Sequence, residues 1–178
     1  QRVCQVKMEE HANHLLNTLK RWYDVTEDWN GSKYVGVSLK WDYKKRTLET
    51  SVPGYVKSAL KSLQHPAPAK PQHAPAKAPP VQYGAKVQTN QEDKSRPLSE
   101  EGIKKIQKAV GIFNSYASAT DPTMGKTLST IAGRQAKATE KLKAEVKHFL
   151  DYCHMHPDAR VRYLASDMIL ALHSDGSY

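Results

Sequence analysis

The chain has 178 residues, 39% of them apolar, with 27 Lys and Arg against 18 Asp and Glu and a formal net charge of +9. That length suits one ordinary domain or two small ones, and a mean hydropathy of −0.68 leaves part of the chain outside any core. No apolar run reaches membrane-spanning length, no stretch reads as a signal peptide, and the two distant cysteines, Cys4 and Cys153, make no disulfide framework and suit a reducing compartment.

From Lys7 to Arg21, the apolar residues Met8, Ala12, Leu15, Leu16 and Leu19 recur at helical spacing. Asn30-Gly31 is a tight-turn signal because both residues tolerate positive φ. The run Lys33 to Trp41 is expected to form one strand, Asp42-Tyr43-Lys44-Lys45 a turn, and Arg46 to Val52 the return strand. Pro53 stands where a helix begins, since its missing N–H costs nothing there. Tyr55, Val56, Ala59, Leu60 and Leu63 give that helix one apolar face.

From His65 to Pro97 the composition changes. Seven of the ten prolines fall here: Pro66, Pro68, Pro71, Pro75, Pro79, Pro80 and Pro97. Prolines this dense remove backbone donors and block both helix and central strand. The segment is expected to be an extended, mobile or surface-hugging connection between two folded parts.

The second part is helical. Ser99 is placed to cap a helix with the stripe Ile103, Ile106, Val110, Phe113 and Ala117. Asp121-Pro122 is a cap followed by proline at the first helical position, with Met124, Leu128 and Ile131 as the stripe and Gly133 as the expected stop. Thr139 caps a third helix that buries Leu142, Val146, Phe149, Leu150 and Cys153 and ends before Pro157. Arg160 to Ala165 and Met168 to His173 read as two antiparallel strands joined at Ser166-Asp167. The fold class is therefore α+β: an antiparallel hairpin with flanking helices, a Pro-rich linker, and a three-helix cluster leading into the first strands of a mixed sheet.

Asp175 is the leading candidate for chemistry. It follows an apolar strand, shares a face with His173, and is a hard oxygen ligand suited to Mg²⁺. One carboxylate is not a site, because a two-metal nuclease centre needs several ligands; alone, Asp175-Gly176-Ser177 is ordinary turn chemistry. Cys153-His154-Met155-His156 lacks the second ligand pair of a zinc site, so Cys153 is expected to pack on its helix. Lys104, Lys105, Lys108, Arg134, Lys137, Lys141, Lys143 and Lys147 lie mainly on polar helix faces, where they either track a phosphate backbone or are simply solvated. The basic excess favours a polyanion, nucleic acid first and an anionic membrane surface second. The aromatic set Trp22, Tyr23, Trp29, Tyr34, Trp41, Tyr43 and Tyr55 either packs within the hairpin and core or stacks on bases.

The order of these elements resembles the reverse transcriptase to ribonuclease H region of copia-type LTR-retrotransposon polyproteins, over essentially the whole chain. His14-Leu15-Leu16-Asn17-Thr18-Leu19 resembles the helix after the polymerase active site, and Tyr34-Val35-Gly36-Val37 the primer-gripping hairpin. Pro53 to Leu60 resembles the helix entering the thumb, and Ala109 to Ala117 and Val146 to Tyr152 resemble two later helices of the family. Thr120 to Met124 stands at the family's helix start, and His173 to Tyr178 matches the opening of the ribonuclease H domain.

The resemblance implies four regions. Residues 1–64 would be the end of the palm with the primer-grip-like hairpin and the start of the thumb. Residues 65–98 would be the Pro/Ala-rich linker, 99–159 the helical thumb and connection, and 160–178 the first strands of a truncated ribonuclease H-like sheet. It implies that Asp175 is the first ribonuclease H carboxylate, a Mg²⁺ ligand of an incomplete site, with Mg²⁺ a cofactor of the intact parent and none for this chain alone. It also implies nucleic-acid contacts from Lys33, Tyr34, Val35, Gly36 and Val37, joined by Lys104, Lys105, Lys108 and Lys141. The paired polymerase aspartates and the later ribonuclease H carboxylates are not in the chain, so the expectation is a fragment that binds an RNA–DNA hybrid or duplex without polymerising. Expected partners are nucleic acid, the remainder of the polyprotein and, through open sheet edges, a second copy, with no membrane. The expected location is intracellular, in a cytoplasmic particle or the nucleus. The alternative is a domesticated, non-catalytic nucleic-acid-binding or protein-interaction module, and a relic without a role is the third reading.

Overall fold

The computed structural model of the chain describes residues 9–78, 83–84 and 93–166. Cys4, the expected strand Met168 to His173 and Asp175 lie outside these residues. The described residues form five helices and one four-stranded antiparallel sheet. The helices are α1 (Glu9–Leu19), α2 (Tyr55–Ser62), α3 (Glu100–Ala119), α4 (Gly125–Arg134) and α5 (Glu140–Met155). The strands are β1 (Lys33–Tyr34), β2 (Val37–Asp42), β3 (Thr47–Ser51) and β4 (Arg160–Leu164), in the order β1-β2-β3-β4.

Local chemistry sets the helix ends. The Ser99 hydroxyl accepts the Gly102 N–H at 3.4 Å, and the Thr139 hydroxyl accepts the Leu142 N–H at 3.3 Å, each satisfying one of the donors a helix start leaves open. Asp121 accepts the Thr123 N–H at 3.2 Å and opens a 3-10 turn, Pro122–Met124, that leads into α4. Gly133 does not stop α4, which runs on to Arg134: the backbone at Gly133 never enters the left-handed region that a glycine stop uses.

Helices α2 to α5 share one core. Val56, Ala59 and Leu60 of α2 are buried with Ile106, Phe113 and Tyr116 of α3, Leu128 and Ile131 of α4, and Leu142, Phe149 and Cys153 of α5. Phe113 and Phe149 meet edge to face, with centroids 5.4 Å apart, the arrangement that ring quadrupoles favour. The helix expected to close the first part thus packs in the same core as the three helices of the second. Helix α1 buries none of its residues.

Two expectations for the strands are corrected. Lys33 to Trp41 is not one strand, because Val35 (φ 48°) and Gly36 (φ 82°) turn the chain and β1 folds back on β2, pairing Tyr34 with Val37. Two consecutive positive φ values are the signature of a type I′ hairpin turn. The strand at Arg160, expected to begin a mixed sheet, is instead the fourth strand of the hairpin's own sheet. It pairs antiparallel with β3, Thr50 opposite Val161 and Leu48 opposite Tyr163.

Aromatic side chains join sheet and helices. Tyr55 and Tyr116 stack with centroids 5.4 Å apart, and the Tyr55 hydroxyl donates to the Ile112 carbonyl at 2.8 Å. The Tyr116 hydroxyl accepts the Ala159 N–H at 3.1 Å and donates to the Pro157 carbonyl at 3.3 Å, fixing the chain just before β4. Val52 and Ala159, the continuations of β3 and β4, pack against the helical core, while the sheet's other end extends away from it.

The Pro-rich segment hugs the surface where it is described. The Leu98 N–H donates to the Ala138 carbonyl at 2.9 Å, and Pro97 bridges to Thr139. His65 Nε2 lies 2.7 Å from Asp151 Oδ1, and His148 Nε2 lies 3.1 Å from the Ala74 carbonyl. These four links to α5 and its approach stand in for the ladder that proline forbids.

Candidate functional site

Cross-strand partners share a face of a sheet, so the register sorts the side chains. One face carries Lys33, Lys40, Glu49, Arg160 and Arg162. Glu49 accepts from Arg162 at 3.2 Å and from Arg160 at 3.1 Å. The Arg162 hydrogen bond above all, with Arg160 beside it, holds the Glu49 carboxyl below its usual range. The other face carries Leu39, Thr50 and Val161 in one row and Trp41, Leu48 and Tyr163 in the next. The first row is largely covered, with Thr50 only 7% exposed. The second stands open, with Trp41 44% and Tyr163 53% exposed.

The hairpin residues named by resemblance come together at one tip. Lys33 and Tyr34 are exposed on β1, Val35 and Gly36 form the turn, and Val37 begins β2. Asp28 stiffens the approach: its Oδ2 accepts the Ser32 N–H at 2.7 Å, the Ser32 hydroxyl at 2.9 Å and the Lys33 N–H at 2.9 Å. These bonds, Lys33's first, hold the Asp28 carboxyl below its usual range. The Lys33 ammonium is not part of this network and stays at the surface.

The helical lysines sit apart from that tip. Lys104 and Lys105 are exposed on α3. Lys108 donates to the Ser62 carbonyl at 3.1 Å, placing its charge on the C-terminus of α2, where the helix dipole favours a cation. Lys141 lies in the first turn of α5, its N–H donated to the Ser95 hydroxyl at 3.1 Å. Its charge helps lower the pKa of Asp93 to about 2, after the larger effects of the Ser95 and Thr139 hydroxyls. The structure therefore gathers the hairpin set, places Lys104 and Lys105 on a different element, and uses Lys108 and the backbone of Lys141 to hold the fold.

At the open end of the sheet, two of the aromatics named from the sequence, Trp41 and Tyr43, meet Arg46, Leu48 and Tyr163, which the sequence did not single out. Trp41 and Tyr43 stack in parallel, centroids 6.0 Å apart at 7°. With Arg46, Leu48 and Tyr163 they line a shallow recess of about 260 Å³. Tyr163 joins this group only through the β3–β4 pairing, which nothing local to Tyr163 announces.

Cys153 is fully buried, as expected from its helical stripe; burial first, then the Asp121 carboxylate, pushes its thiol far up, away from the thiolate form that binds metals or attacks electrophiles. Among the described residues no group of three or more His, Cys, Asp or Glu side chains gathers as a metal ligand set. The Mg²⁺ expectation rests on Asp175, outside them. No helix among the described residues is long and apolar enough to cross a membrane. The chain matches no protein-family model, no curated protein and no solved structure.

Proposed function

We propose that this chain is a nucleic-acid-binding portion of a copia-type retroelement reverse transcriptase–ribonuclease H, contributing primer–template contacts and no polymerisation of its own. The observation that carries the reading is the β1–β2 hairpin. Its tip is exposed, its turn is tight, and Lys33 and Tyr34 flank it. Gly36 presents bare backbone there, which lets sugar and phosphate approach closely. The net charge of +9 supplies the sequence-independent attraction. Magnesium enters this reading through Asp175 alone, and no step is derived through it.

A second reading, a non-catalytic interaction module, is favoured by the basic face of the sheet, where Lys40, Arg160 and Arg162 surround Glu49. Self-association through a sheet edge belongs to that reading too. Among the described residues the outer strands of the sheet are β1 and β4, which carry Lys33, Arg160 and Arg162, charges that oppose edge-to-edge pairing.

The test is binding of the purified chain to an RNA–DNA hybrid and to duplex DNA across a salt series. The primer–template reading expects hybrid preference, with Lys33→Ala lowering the salt slope by about one. Equal binding to both, unaffected by Lys33→Ala, supports the interaction-module reading. No binding at low salt removes both.

A further inference from the structure

We propose that the open end of the sheet is a stacking platform for unpaired nucleobases, an inference that rests on the nucleic-acid reading above. Three large rings are exposed together there: Trp41 at 44%, Tyr43 at 80% and Tyr163 at 53%. Trp41 and Tyr43 stand two residues apart on the same side of the strand, and their planes differ by only 7°. The Trp41 indole N–H donates to the Gly31 carbonyl at 2.9 Å, so its ring is held before any ligand arrives. The recess of about 260 Å³ between these rings and Tyr163 falls below the usual size of a drug-sized ligand site and suits one planar ring system.

Charge decides the occupant. The turn beside the recess is Tyr43-Lys44-Lys45-Arg46, three consecutive cations, and Arg46 lines the recess itself. Among the described residues Asp42 is the one carboxylate in that lining, and it is engaged by the same turn, accepting the Lys45 N–H at 2.9 Å with the Lys45 ammonium 3.8 Å away. An apolar protein partner would have to leave these cations unpaired at its rim. A polyanion neutralises them, and an aromatic shelf beside a cationic rim is how single strands are held without sequence preference. A duplex keeps its base faces stacked inside, so the strand on the platform is unpaired. Strand β2 separates the platform from the Val35–Gly36 tip by roughly 20 Å at the usual rise of a strand. An unpaired tail leaving a duplex held at the tip therefore reaches the platform along β2.

The experiment compares the full chain on a blunt RNA–DNA hybrid and on the same hybrid with a single-stranded tail of about ten nucleotides, a length within the site size of single-strand-binding grooves. The tail is expected to tighten binding about tenfold and quench tryptophan fluorescence. Tyr43→Ala and Tyr163→Ala lose that gain and leave blunt-hybrid binding as it was, while Tyr43→Phe keeps the gain. Tyr43 is too exposed for its loss to disturb folding, and an unchanged far-UV circular dichroism spectrum verifies this. Blunt-hybrid binding with no benefit from the tail overturns the platform and leaves the nucleic-acid reading standing. A gain that survives both alanine variants overturns the platform as well. Absence of binding to either substrate removes the nucleic-acid reading and the platform with it.

Discussion

Val35 has a φ of 48° at the tip of the β1–β2 hairpin, a region its branched side chain disfavours by about 1–2 kcal/mol. Asn-Gly is the pair that such a turn prefers. Val35→Asn should therefore raise stability by about 1 kcal/mol in urea unfolding. If the strain serves contact with the primer–template, the same variant binds the hybrid more weakly while being more stable, and unchanged binding would show the valine to be dispensable. Thr50 sets a second local cost. Its hydroxyl is buried and finds no hydrogen-bond partner among the described residues. Thr50→Val keeps the shape, removes the orphan oxygen, and should gain about 1 kcal/mol; a loss on denaturant titration would mean that the hydroxyl is satisfied in solution.

Between elements, polar bonds hold the Pro-rich segment against α5. Its entry is held by His65 on Asp151, a carboxylate that also accepts from Lys147 at 2.9 Å. Burial alone would raise the Asp151 pKa, and the Lys147 and His65 hydrogen bonds outweigh it and leave it lowered. His65→Ala removes one of the two partners of a side chain only 9% exposed, and should cost about 2 kcal/mol. The exit is held by Asp93, hydrogen-bonded to Ser95 and Thr139. Its pKa falls from 3.8 to about 2 on folding. A depressed carboxylate stabilises the fold fully above its unfolded pKa, and that contribution is lost as pH falls through the folded value. Thermal melts should therefore show the wild type losing stability more steeply than Asp93→Ala between about pH 4 and pH 2. Parallel curves would contradict this account of the exit.

For the whole molecule, the joint between sheet and helices decides cooperativity. The Tyr55–Tyr116 stack and the Tyr116 hydroxyl connect the helical core to the approach of β4, and β4 is bonded to the rest of the sheet. Phe113 is fully buried in that core, and Phe113→Ala should cost about 3–5 kcal/mol. All three tryptophans, Trp22, Trp29 and Trp41, precede α2, so their fluorescence reports on the region remote from Phe113. One cooperative unit predicts that the variant shifts the fluorescence and far-UV circular dichroism transitions together. A fluorescence transition that stays put would show that the sheet unfolds by itself.

The amino-acid sequence by itself determined the helices, because periodic apolar residues and short-range caps are local properties. Ser99, Thr139 and Asp121 cap as their neighbours dictate, and Leu142, Val146, Phe149, Leu150 and Cys153 face inward as their spacing requires. It also determined the turn at Asp42 to Lys45 and the strand on either side of it. The break at Val35 was not legible, because a β-branched residue argues for a strand, and its positive φ goes with the pairing of Tyr34 and Val37 across the turn. Tertiary structure alone decided that Arg160–Leu164 joins β3, more than a hundred residues earlier in the chain, and that α2 shares its core with α3 and α5. Strand pairing and helix docking depend on which apolar surfaces meet, and no local pattern records that. The same long-range pairing sets Tyr163 beside Trp41 and Tyr43, so the aromatic recess exists only in the folded chain.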